Sequence, residues 1–117
     1  MEKLFTYKIR PVKPFGTGEE IDTGFKGEIK VNIPDYKTRM KLVKSHSAIE
    51  KDVEKMSTAA YDTCEQYIVS IDLTHEEAEN ITSLDELSMF QEGVAIIFDV
   101  YNQILQGWSL SPKTVKS

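Results

Sequence analysis

One cysteine, one tryptophan and four prolines among 117 residues are few, and the scarcity of cysteine excludes one means of stabilisation. Cys64 has no second cysteine on the chain to pair with, so an internal disulfide is ruled out. Set among apolar neighbours, it reads as a small core residue rather than a nucleophile. The length suffices to bury one ordinary core without disulfide or metal. No apolar run approaches the roughly 20 residues that a membrane crossing requires, so a membrane partner is not expected. The opening stretch `MEKLFTYKIRPVKP` lacks the unbroken apolar segment and small-residue cleavage site of a secretory signal, which points to the cytoplasm.

Positive charge is missing from half of the chain. Residues 1 to 55 carry twelve Lys or Arg against nine Asp or Glu, whereas residues 56 to 112 carry ten Asp or Glu and no Lys or Arg. The net charge of −5 therefore hides an electrical division. Such a division acts on solubility and encounter, and it admits self-association or contact with differently charged partners. Nucleic acid is not an expected partner, because the chain is acidic overall and its basic residues come without an aromatic stacking motif.

Motifs of reaction chemistry are also scarce. His46 and His75 are the only histidines, and neither has a metal-ligand spacing. `HEEAE` places Glu79, not histidine, four residues after His75. Both histidines read as surface residues. There is no phosphate-binding loop and no nucleophile elbow. Asp85 and Glu86 are adjacent, but neighbouring carboxylates on a helix do not face each other. The expectation is a protein without catalytic residues, metal or cofactor.

What is present is strand and helix patterning. `LFTYKIRPV`, residues 4 to 12, begins as a strand whose end Pro11 and Pro14 confine to an edge or to loop. `FGTGEEIDTG` reads as a mobile loop. `FKGEIKVNI` alternates, with Phe25, Ile29, Val31 and Ile33 toward a core and Gly27 marking a bulge. Pro34 ends that strand and Asp35 caps a helix. On it, Tyr36, Met40 and Val43 are expected to face the sheet, while Lys37, Lys41 and Lys44 form a solvated stripe. Ser47 and Glu50 have the form of a capping box, which predicts a second helix to about residue 68 with Ile49, Val53, Met56, Ala60, Cys64 and Tyr67 on its apolar face. `YIVSIDL` fits a strand or the end of that helix. Residues 74 to 82 fit either a helix opening at Thr74 or the connection of two short strands. Ser83 and Glu86 form another capping box, starting a short helix. The last helix, about Gly93 to Gln106, is apolar except for Asp99, Asn102, Gln103 and Gln106, and Gly107 suits its left-handed cap.

The expected fold class is α+β: a small N-terminal antiparallel β-sheet or hairpin packed on a mainly helical body of three to four helices. It occupies residues 1 to 110, with a polar tail at 111 to 117.

The succession of `FKGEIKVNIPDYKTRMKLVK`, an amphipathic helix, `ITSLDEL` and an apolar helix ending in `ILQGWSLSPK` resembles the tail assembly chaperones of long-tailed bacteriophages, over about Phe25 to Lys113. That resemblance implies a helper that binds the tape-measure protein, keeps it soluble and helps recruit tail-tube subunits. It also implies a protein of the host cytoplasm, absent from the mature virion. A head–tail connector or minor virion component is the alternative. No catalytic motif carries over. The residues themselves offer Lys37, Arg39, Lys41, Lys44 and Trp108 as candidates for partner binding, although Trp108, following a helix-ending glycine, reads first as the apolar contact that packs back over the last turn and only second as an interface anchor.

Overall fold

The computed structural model describes residues 3–12, 19–76 and 78–107. Trp108, the polar tail, and Pro14, Gly16 and Gly18 of the glycine-rich loop lie outside the described residues.

The fold is α+β. Four strands, β1 (Lys3–Lys8), β2 (Phe25–Ile33), β3 (Ile68–His75) and β4 (Ala78–Ile81), form one antiparallel sheet in the order β1-β2-β3-β4. The sheet therefore extends past an N-terminal hairpin, because the β-branched run after residue 67 leaves the helix and pairs with β2. Of the two alternatives for residues 74 to 82 the short strands are found, β3 ending at His75 and β4 beginning at Ala78. Val12 and Ile21 bridge the ends of the loop after β1.

Alternation decides which face of the sheet is covered. Phe25, Ile29, Val31 and Ile33 are buried, as are Tyr7 on β1 and Ile71 and Leu73 on β3. The opposite face is polar apart from the exposed Leu4, with Lys30 reaching Thr6 Oγ1 at 3.1 Å and Glu28 at 3.3 Å. No bulge occurs at Gly27, which pairs in register with Leu73. Instead the register slips between Lys30 and Val31, where β3 steps from Ser70 to Ile68 and leaves Val69 as the extra residue. This rephasing turns β3 toward the end of the preceding helix. Gly27 answers another need: its φ is 122°, and a Cβ there would lie 2.1 Å from the Asp72 carbonyl oxygen.

Helices α1 (Tyr36–Ile49), α2 (Val53–Tyr67), α3 (Leu84–Ser88) and α4 (Gln91–Gln106) complete the chain. α4 is the centre. Ile96, Val100 and Ile104 are fully buried against the sheet residues, in one core that also takes in Ala60, Cys64 and Tyr67 of α2. Gln103, expected on a polar stripe, is buried as well. Gly107 ends α4 at φ 67°, donating its N–H to the carbonyls of Gln103 and Ile104. At α3 the expected cap forms: Ser83 Oγ accepts from the Glu86 N–H at 3.1 Å, while the Glu86 carboxylate reaches back one residue past the cap and accepts from the Thr82 N–H at 3.1 Å.

Two expectations about the first helices are corrected. α1 continues through Ser47 to Ile49, and α2 starts at Val53, where Asp52 rather than Ser47 supplies the cap by accepting from the Lys55 N–H at 3.1 Å. Val53 is consequently exposed. Nor do Tyr36 and Met40 face the sheet. α1 packs on α4 and α2 with Arg39, Leu42, Val43, His46 and Ile49 inward, and it buries no residue fully. The inward stripe is set by tertiary contacts, which place polar Arg39 and His46 where an apolar pattern would not.

Candidate partner-binding surface

Pro34 ends β2 because it has no N–H for the ladder. Asp35 then accepts from the Thr38 N–H at 2.8 Å, a bond that holds its carboxyl below the usual carboxylate range. α1 thus begins at Tyr36, a residue 68% exposed, and helical spacing sets Met40 beside it, 36% exposed. Lys37, Lys41 and Lys44 are exposed along the adjoining row. None of the three makes an ion pair among the described residues. The outward face of α1 is therefore a short apolar strip edged by three ammonium groups.

Arg39 does not join that row. Its Nη1 donates to the Leu105 carbonyl at 3.4 Å, and its guanidinium lies 5.4 Å from the Tyr36 ring centroid. It satisfies a carbonyl in the last turn of α4 while supporting Tyr36 from behind. Four of the candidate residues thus belong to one helix, three of them facing outward, and the fifth, Trp108, lies outside the described residues.

A second surface differs in sign. Tyr61 Oη on α2 donates to Asp85 Oδ1 on α3 at 2.9 Å, a bond that pushes the phenol pKa up. Beside this bridge runs a groove of ≈ 410 Å³ lined by Glu65, Ile68, Val69, Leu84 and Asp85, among others. Glu65 and Asp85 are its charged residues, and Ile68, Val69 and Leu84 line it beside the hydroxyls of Ser70, Thr82 and Ser83.

Sequence reasoning missed three polar contacts. Asp99, expected as one of the polar residues of the last helix, accepts from Tyr7 Oη at 2.5 Å and from Arg10 Nε and Nη2 at 3.0 Å each. Burial first, then the charge and hydrogen bond of Asp99, push the Tyr7 phenol well up, so it stays protonated and fastens α4 to β1. The same pairing raises the pKa of Arg10. His46 is half-buried, its Nδ1 3.0 Å from Tyr101 Oη. His75 is also half-buried, with Phe25 and Phe90 at ring-centroid distances of 4.6 and 4.7 Å. Neither histidine is a plain surface residue. No local signal could have found these contacts, because residues 7 and 99, or 46 and 101, meet only in the folded chain. Cys64 is where the sequence puts it: buried, its Sγ donating to the Ile97 carbonyl at 3.4 Å, with burial pushing its pKa up to about 12.

A cleft of ≈ 610 Å³ near His75 mixes Arg10, Asp22, Lys26 and Glu76. Among the described residues no three His, Cys, Asp or Glu side chains converge as a metal-binding group, and no helix is long and apolar enough to cross a membrane. Fold and surfaces together define a small α+β domain whose helical layer covers one sheet face and presents opposite charge on different helices. No protein-family model, curated protein or solved structure matches the chain.

Proposed function

We propose that the protein is a phage tail assembly chaperone that binds the tape-measure protein, keeps it soluble and helps recruit tail-tube subunits during tail morphogenesis. The observation that carries this reading is the outward face of α1. Tyr36 and Met40, edged by Lys37, Lys41 and Lys44, lie within `FKGEIKVNIPDYKTRMKLVK`, the first of the stretches whose succession carries the family resemblance. An amphipathic client helix lays its apolar side against Tyr36 and Met40, and the lysines attract its acidic flank, setting orientation and encounter rate. The work is done in the host cytoplasm, and the protein leaves before the virion is complete.

Co-expression with the tape-measure protein encoded beside it tests this. The expected result is a soluble complex; a tape measure that stays insoluble and uncomplexed overturns the reading. Replacing Lys37, Lys41 and Lys44 by Glu is expected to lower the soluble yield, and equal yields would remove the steering role from the lysines. Mass spectrometry of purified virions is expected to find no copy of the protein, whereas a stoichiometric one would favour the connector alternative.

A further inference from the structure

We infer that the protein binds a second copy of itself, with Tyr36 and Met40 of one copy entering the groove between α2 and α3 of the other while Lys37, Lys41 and Lys44 meet Glu65 and Asp85. The same face of α1 carries the client in the proposed function, so self-association and client binding compete for it, but the self-pairing rests on the two surfaces and stands whichever client the protein serves.

The two surfaces match in chemistry. Each combines apolar side chains with charge of one sign, and the signs are opposite. Among the described residues neither Glu65 nor Asp85 has a cation within ion-pair distance, nor do the three lysines have an anion, Lys37 acting on Asp35 only from beyond that distance. The absence of Lys and Arg from residues 56 to 112 leaves no cation on α2 after Lys55, or on β3, β4 or α3, to fill the groove's requirement from within. Shape agrees with charge. The groove measures ≈ 410 Å³, within the range of concave sites that seat a ligand, and its rim residue Val69 is 55% exposed because the β-bulge turns it out of the sheet. One face of a 14-residue helix covers less than the roughly 800 Å² per partner of a standard stable interface, so the association is weak and concentration-dependent.

The test is sedimentation velocity over a concentration series, at low ionic strength and near 1 M, where the screening length falls to about 3 Å. At low salt the average mass is expected to rise from the monomer's 13.3 kDa toward twice that or more, and to return to it at high salt. Two variants then exchange the charges: Lys37→Glu with Lys41→Glu and Lys44→Glu makes both surfaces acidic, and Glu65→Lys with Val69→Lys makes the groove basic. Asp85 is left intact because it holds Tyr61. Each variant alone is expected to stay monomeric, and their mixture to associate, because each then offers the other a complementary surface. Circular dichroism checks the fold of both, with Gln in place of the reversed charges, and Ser at position 69, in any variant that loses helix. A natural protein that is monomeric throughout the low-salt series, a variant that still self-associates, or a mixture of folded variants that does not associate overturns the inference.

Discussion

At Gly27 the backbone holds a φ of 122°, and the space where a Cβ would sit is taken by the Asp72 carbonyl. Gly27→Ala must either abandon this conformation or push β3 aside, in the middle of the sheet. The expected cost is about 3 kcal/mol or more, from strain and lost strand pairing together. A lower urea midpoint with unchanged slope would record it. Tyr7 makes a prediction of a different kind. In the unfolded chain it ionises near 10.0, but burial and Asp99 keep it protonated in the fold at that pH. The unfolded chain therefore loses this proton first, so stability falls as pH rises above 10, while below that value this group contributes no slope. Tyr61 and Tyr101, also raised, add in the same direction. Tyr7→Phe is expected to flatten the alkaline decline. At neutral pH it costs about 1.5–3 kcal/mol for the lost bond to a charged acceptor. Urea titrations across a pH series separate the two effects.

Among the elements, the junction of α1 and α2 separates what a sequence pattern can say from what packing decides. Ser47 and Glu50 match a capping box as well as Ser83 and Glu86 do, yet only the second pair caps. The difference is not local. Arg39 and His46 are held by Leu105 and Tyr101 of α4, which keeps α1 helical past Ser47 and passes the new start to Asp52. Asp52→Ala is therefore expected to cost about 1 kcal/mol as a lost cap. Ser47→Ala, at an exposed position inside a continuous helix, should be neutral or slightly stabilising, since alanine is the better helix former. Thermal denaturation of the two variants would show it, and the reverse order would mean that α1 ends at Ser47 in solution. β2 and α4 were legible because alternation in one and an apolar surface in the other express their own burial. The Tyr7–Asp99–Arg10 fastening was not, since it joins residues 89 and 92 positions apart. The lysine row of α1 was legible from spacing alone. Its apolar neighbours Tyr36 and Met40 were assigned inward because a hydrophobic pattern cannot reveal that Arg39 and His46 occupy the packed side. The acidic groove had no sequence signature, being assembled from α2, β3 and the start of α3.

For the molecule as a whole, Cys64 is a built-in reporter of how the layers separate. It sits in the shared core between α2 and α4, and with a pKa of about 12 only roughly one part in ten thousand is thiolate at pH 8, even before access is considered. Labelling by an aromatic disulfide must wait for an opening that brings the thiol to water. If the core that spans both helices and the sheet opens as one unit, the labelling rate at low urea follows the global unfolding equilibrium, and its urea dependence has the slope of the full transition. Gly27→Ala should then accelerate labelling by about a hundredfold or more, the factor that corresponds to a loss of about 3 kcal/mol. Reversing Lys37, Lys41 and Lys44 should change it little, each exposed site contributing within about 0.5 kcal/mol. A shallow urea slope would instead mean that α2 lifts from α4 while the sheet stays paired. The strain at Gly27 would in that case leave the labelling rate nearly unchanged, so the same variant distinguishes a single cooperative core from a hinged helical layer.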